Sequence, residues 1–410
     1  MTAPDADAPS EATGPALSAG ARRRSLIVVI ASMTGMAMFY GYTGPLLSIV
    51  LEDQGVSGTL IGINGSVQML GILAIIPILP WAMRRLGPAR MMMIGALAAL
   101  ASILLMAVFV NVWAWFPLRF MMGMAQSVMW TTGETWVNHA SDDRSRGRTV
   151  SFFISAIAAG FALGPFLQAE VGSVGLTPFL AGCGIIAIII LPLFASLGDR
   201  IDVAGRPSVR LPQYIRLAPV PMFSNLFFAM IASSLMTLLA VYGLRLAMEE
   251  GPAARMVGWM GWGGVIMPLL IGYLADRMNR TLLLAWFVGL GAVATVALPY
   301  VIEMGAILAP IYLMIFGGLR AGHYGLAVML LGERFRGADL PSATAIFGFM
   351  FGIGSFMGPA ISGVAIDLWN PHGLPFVVAL YYLLFLPLPL VAYFRHRREA
   401  RIKAMDDLFG

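Results

Sequence analysis

Five ionisable residues stand inside long apolar stretches of this chain: Arg119, Glu134, Arg245, Arg320 and His323. A charged group in hydrocarbon costs at least a few kcal/mol, so such residues point to function. Three arginines against one carboxylate make a positive interior, and a guanidinium matches carboxylate or phosphate oxygens two at a time. An anionic or zwitterionic solute fits that chemistry. A structural account competes with it, in which Arg119 and Arg320 bridge helices or satisfy carbonyls and Arg245 snorkels to a membrane surface. Glu134 admits two roles, a proton carrier or a charged gate residue pairing with arginines. His323 is either a group that titrates one turn from Arg320 or a neutral histidine bonding a neighbouring helix.

Spacing groups these residues with polar and aromatic neighbours. Arg119, Gly123, Gln126, Trp130 and Glu134 recur at steps of three and four, which keeps them on one slowly turning helical face about 22 Å long. Thr237 and Arg245 share a second face, and Arg320, His323 and Tyr324 a third. Tyr40 and Tyr42 lie beside Gly44-Pro45, where a local break opens a helix to its surroundings. Together these are the candidate solute-binding residues, with Glu134 and His323 also the candidates for proton coupling. No phosphate loop or metal-protease helix occurs, and four histidines with the single Cys183 are too few for common zinc or redox centres. Neither an enzyme, a metal site, a cofactor nor ATP is implied. The 28 methionines, Met256 and Met260 among them, read mainly as lipid-facing or core filler, although thioethers also suit copper(I).

The elements that must position these residues are helices. Hydrophobic residues make up 59% of the 410 and charged ones only 11%, with a mean hydropathy of +0.82. Apolar runs about 17–25 residues long follow one another, each sufficient to cross a hydrocarbon core about 30 Å thick. Twelve spans are expected, near residues 26–51, 58–83, 91–110, 113–139, 149–169 and 174–196, then 221–247, 256–275, 281–302, 304–331, 341–366 and 374–394. Residues 1–24 read as a disordered tail, 25–196 and 221–394 as two six-helix bundles, 197–220 as a linker and 395–410 as a basic tail. With both termini inside, 22 of the 26 basic residues fall in cytoplasmic segments, while the opposite loops are acidic. The positive-inside rule therefore places both ends in the cytoplasm, and the net charge of +5 needs no nucleic-acid partner.

The halves repeat. Gly160-x-x-x-Gly164-Pro165 recurs 194 residues later as Gly354-x-x-x-Gly358-Pro359, Arg146-Gly147 recurs as Arg336-Gly337, and Gly55 with Gly62 as Gly251 with Gly258. Gly272-x-x-x-Asp276-Arg277-x-Asn279-Arg280 resembles the cytoplasmic loop motif of the major facilitator superfamily, with Asn279 where glycine is usual. The first-half counterpart keeps Arg85, Gly87 and Arg90 but has Arg84 at the acidic position. Arg119-x-x-x-Gly123 is similar to the family's second motif. The stretch through Gly133-Glu134-Thr135-Trp136-Val137-Asn138 to Arg146-Gly147-Arg148 resembles the YcaD-like bacterial branch.

That resemblance implies an all-α membrane protein of twelve transmembrane helices in two pseudo-symmetric six-helix bundles, with spans one, four, seven and ten lining a central cavity. It also implies a cytoplasmic gate built from Arg85, Arg146, Asp276, Arg277, Arg280 and Arg336. The expected activity is secondary transport of a small organic solute across the inner membrane by alternating access, driven by protons. Its expected partners are the solute, the coupling ion and lipid, and the expected state is a monomer. An efflux pump for amphipathic compounds, a copper carrier and a non-transporting sensor are the alternatives. A cysteine introduced at Ser208, in the central loop, is expected to resist impermeant thiol reagents in intact cells; ready labelling would reverse the orientation.

Overall fold

Proline and glycine punctuate the apolar runs into helices, because a proline inside a helix removes a backbone donor and glycine alone is at ease with positive φ. A computed structural model describes residues 19–141, 146–194, 211–303, 305–336 and 339–409. Seven helices precede the central loop: α1 Ala19–Asp53, α2 Gly58–Ile75, α3 Leu79–Leu86, α4 Pro88–Val108, α5 Val112–Ala140, α6 Arg146–Val171 and α7 Thr177–Phe194. Eight follow: α8 Leu211–Leu217, α9 Pro219–Arg245, α10 Glu250–Ala275, α11 Arg280–Glu303, α12 Leu308–Arg334, α13 Asp339–Leu368, α14 Gly373–Phe385 and α15 Pro387–Phe409. No strand occurs among the described residues.

Ten spans are long and apolar enough to cross a membrane, one of them formed by α14 running into α15. Helices α5 and α10 are as long, at 29 and 26 residues, and lie in the same bundle. Twelve membrane-length units result, as expected from the sequence. Two are broken where one straight span was expected. The second parts at Pro77 into α2 and α3, and the last parts at Leu386, where Pro387 takes the first position of α15. At the start, α1 already includes Arg22 to Arg24, which the sequence reading assigned to a disordered tail. Alanine and arginine are strong helix formers, so the helix runs on past the apolar segment. Residues 1–18, and 195–210 of the central loop with Ser208, lie outside the described residues.

The two sets of six pack by the same rules. In the first, α1 lies against α6 and α7, α2 against α5, and α4 against α5 and α7; in the second, α9 lies against α13 and α14, α10 against α12, and α11 against α12 and α14. Across the middle α2 meets α13, α6 meets α10, and α1 meets α9. Glycine makes the tight crossings possible. A Cβ at Gly123 would fall 1.8 Å from the Gln68 carbonyl oxygen, and one at Gly317, 194 residues on, 1.8 Å from that of Met260. Gly164 and Gly358 are similarly pressed against the Met38 and Met230 carbonyls.

The repeat also extends to a turn. After α1, Gly55 takes φ +71° and the Val56 amide bonds the Leu51 carbonyl; after α9, Ala247 takes φ 59° and the Met248 amide bonds the Gly243 carbonyl. Ala247, rather than the expected Gly251, is therefore the conformational counterpart of Gly55, since Gly251 lies in the first turn of α10. Gly123→Ala and Gly317→Ala should each lower thermal stability in detergent, by about 1–3 kcal/mol for an overpacked contact. Gly184→Ala, with open space around its Cβ, serves as the neutral control. Equal melting of all three would refute the close-packing account.

Candidate functional site

Helix α5 buries Arg119 to 4% exposure and surrounds it with neutral acceptors. Its Nε donates to Asn64 Oδ1 at 3.0 Å and a terminal nitrogen to Gln68 Oε1 at 2.6 Å, both on α2. Gln68 in turn donates to Gln126 Oε1 at 3.2 Å, so a polar chain returns to α5 two turns along. The sequence reading had included neither Asn64 nor Gln68. Their signal was two amides four residues apart in an apolar run, the spacing of one helix face. Tyr40 donates to the Met122 carbonyl at 2.7 Å and ties α1 to α5, whereas Tyr42, fully buried, donates to the Pro178 carbonyl in the first turn of α7, away from the α5 stripe.

On α12 the corresponding face is aromatic. The Arg320 guanidinium lies 5.8 Å from the Phe228 ring centre, and its Nε is buried without a partner. His323 is fully buried and stacked 5.2 Å from Phe385. One residue on, Tyr324 is 41% exposed and its ring lies 4.9 Å from Phe228. Across the middle, Trp130 lies 6.2 Å from Phe161 and donates to the Glu134 carboxylate, which lies exposed within electrostatic reach of Tyr324. The 194-residue repeat makes Trp130 the counterpart of Tyr324 and Gln126 that of Arg320. Gln126, Trp130, Glu134, Arg320 and Tyr324 thus belong to facing helices of the two halves. Thr237 lies higher on α9, its hydroxyl pressed against the place a Cβ of Gly65 would take.

Arg245 belongs to a different construction. It ends α9 and joins Glu52 at the end of α1 through two bonds of 2.7 and 3.1 Å, and Asp367 at the end of α13 at 3.0 Å. Asp367 also accepts from the Gly58 and Thr59 amides at 2.9 and 2.7 Å, so one half caps the N-terminus of α2 in the other. The second crossing, at the start of α10, is built likewise. Glu250 accepts from Gln168 and from Ser173, each at 2.9 Å, and Arg255 pairs with Glu170 at 2.6 Å. These contacts latch the two halves together at one end.

At the opposite, basic end the expected gate residues stay within their own halves among the described residues. Arg85 stacks on Trp81 and Arg277 on Tyr273. Arg280 pairs with Asp276 at 3.8 Å and Glu333 at 2.5 Å. Arg336 is exposed beyond α12, and Arg146 opens α6, its side chain lying outside the described residues. Among the described residues, then, the halves are latched at the acidic end, and none of these gate side chains joins one half to the other at the basic end.

Helices of membrane-crossing length, repeated in two equivalent sets around a polar centre, define a multi-pass membrane protein. The sequence profile of the Major Facilitator Superfamily matches residues 26–329, and the chain belongs to that superfamily. It is 23% identical over 367 residues to the uncharacterized transporter YfkF of Bacillus subtilis (strain 168), covering 87% of this chain and 91% of the relative. With the benzoate transport protein of Acinetobacter baylyi it shares 24% identity over 404 residues, 84% of each chain. Among solved structures, a mutant of the nucleoside transporter NupG superposes with a TM-score of 0.76 at 14% identity, covering 90% of this chain and 99% of that one. A bacterial homologue of the human lysosomal transporter Spinster, described as inward-facing and unoccupied, gives 0.74 at 13% identity, covering 93% and 98%. The superfamily is thereby established; the YcaD-like branch is not.

Replacing Arg245 by Gln leaves Glu52 and Asp367 facing each other without their cation. Loss of such a partly buried pair costs about 1–3 kcal/mol, between the exposed and buried limits. Spin labels at Gln54 and Leu368 should then report a longer distance component than in the unsubstituted protein. An unchanged distribution would show that the latch does not hold the halves.

Proposed function

We propose that this protein is a secondary active transporter that moves a small organic anion across the inner membrane by alternating access. The observation carrying this reading is that Arg119 and Arg320, the two arginines within the core of the bundle, have no carboxylate partner among the described residues. A buried guanidinium facing only amides and aromatic rings favours a negative charge brought by the solute. The aromatic surfaces of Trp130, Phe228 and Tyr324 suit an apolar, planar body attached to that charge. Similarity to a benzoate transport protein over most of both chains supports the same class.

Alternating access accounts for the asymmetry between the two ends. The latched end is acidic and the basic end is rich in arginine, so the positive-inside rule makes the conformation inward-open. In the opposite state Arg85, Arg146, Asp276, Arg277, Arg280 and Arg336 are the groups available to close the cytoplasmic side, and Arg245 acts as an outer gate rather than a solute ligand. Protons are the proposed coupling ion, with Glu134, exposed on the path to the cytoplasm, as the first candidate carrier and His323 as the second.

Proteoliposomes containing the protein should accumulate radiolabelled benzoate or a related aromatic carboxylate under an imposed pH gradient. Arg320→Gln should reduce uptake by at least tenfold, the loss of one charged hydrogen bond or more. Glu134→Gln should retain exchange while losing accumulation against the gradient. Uptake of neutral solutes only, or equal rates in Arg320→Gln, would reject the anion reading; unchanged accumulation in both Glu134→Gln and His323→Asn would reject coupling through these residues.

A further inference from the structure

Of the eight buried side-chain polar atoms in the second half that have no partner among the described residues, four stand together. Arg320 Nε, both ring nitrogens of His323 and the Tyr382 hydroxyl are all buried and unbonded. Buried polar groups are almost always satisfied, since each one left unpaired costs about 1–3 kcal/mol. Their concentration in one place, on two helices, is more than an isolated defect. His323 and Tyr382 are both fully buried, with ring centres 6.0 Å apart, and the Arg320 guanidinium lies within electrostatic reach of the Tyr382 hydroxyl.

The place is also constructed. On α11, Gly291 withholds a Cβ that would come within 2.7 Å of the Tyr382 ring and 3.1 Å of its hydroxyl, so the phenol fits only because no side chain stands there. Phe385 stacks on His323 at 19° and Phe228 meets its edge at 80°, closing both sides with hydrocarbon. Inventory then fixes the ligand's chemistry. Arg320 Nε–H, the Tyr382 O–H and one N–H of a neutral His323 are three donors, against two acceptors, the other imidazole nitrogen and the Tyr382 phenolic oxygen. Such an excess of donors beside an unpaired guanidinium calls for an oxyanion.

We propose that Arg320, His323 and Tyr382 form a carboxylate-binding subsite in the second half, with Tyr382 as its third arm. This rests on the anion reading above and adds to it a defined seat for the charged group. Arg320, only partly buried as a residue, joins the seat to the central face that carries Tyr324, where the rest of the solute would lie.

The test uses the full-length protein in nanodiscs, labelled with 15N-histidine, with the His323 signal assigned by its loss in His323→Asn. Titration with benzoate should shift the His323 resonances. Tyr382→Phe should weaken benzoate binding by roughly tenfold to a hundredfold, the range for a hydrogen bond to a charged group. Tyr381→Phe, whose hydroxyl already reaches the Gly358 carbonyl at 3.3 Å, should bind as the unsubstituted protein does. Formate separates a free small anion from the solute: shifts with formate but not benzoate would keep the subsite and reject the aromatic carboxylate as its occupant. If neither anion moves His323, or if Tyr382→Phe binds benzoate with unchanged affinity, the subsite is wrong, even where benzoate transport itself is observed.

Discussion

Several pairs of helices in this protein approach backbone to backbone at positions where a side chain has been given up. Lipid offers no hydrophobic drive for one apolar helix to leave it for another, so association relies on close packing and on polar contacts made inside the bundle. Gly123 against Gln68 and Gly317 against Met260 set the separation of α5 from α2 and of α12 from α10. That separation decides what else can meet. Asn64 and Gln68 reach Arg119 because the Gly123 crossing brings α2 within the length of an amide side chain. The two glycine crossings are equivalent, yet the residues placed by them differ between halves, so a symmetric scaffold presents amides on one side and aromatic rings on the other.

Charge is distributed with a similar economy of means. Carboxylates cluster at the latched end, where Arg245 and Arg255 join the two halves, and arginines cluster at the opposite end. Between them the buried Arg119 and Arg320 have no carboxylate partner among the described residues. On the anion reading proposed above, an internal carboxylate would neutralise Arg320 and leave it nothing to contribute to a solute. The ion pairs among the described residues lie at the ends, where water lowers the cost of breaking them.

Length and composition made the twelve membrane-length units legible, because hydrocarbon thickness admits few alternatives. Breaks at Pro77 and Leu386 were harder to read, since proline inside a membrane helix can either kink it or end it. Rotation of each helix about its axis was legible only in part. A residue facing lipid and one packed against a neighbour are equally apolar, so hydropathy did not tell that Tyr42 turns toward α7 while Tyr40 turns toward α5. Stripes of polar residues did carry that information on α5 and α12. Partners distant in sequence were invisible: Glu52 and Arg245 are 193 residues apart, and Asp367 lies 308 residues from Thr59. Tyr382 gave no signal either, because a tyrosine in an apolar run is ordinary until its hydroxyl is found unbonded. Matching glycines to glycines misaligned one turn of the repeat, where Ala247 holds the conformation of Gly55.

The carboxylate of Asp367 does more than join an ion pair, for it supplies acceptors to the first two amides of α2 while Ser57 supplies one to the Leu60 amide. A helix end left bare in lipid would fray, but this one lies at the aqueous edge. Were the halves to separate here, Gly58 and Thr59 would pass from a carboxylate to water, while Ser57, which belongs to the same half, would keep hold of the third amide. Separation of the halves at this end would therefore exchange part of a helix cap between protein and solvent. Amide hydrogen exchange in the first turn of α2 would report any such opening at this end, without a substrate.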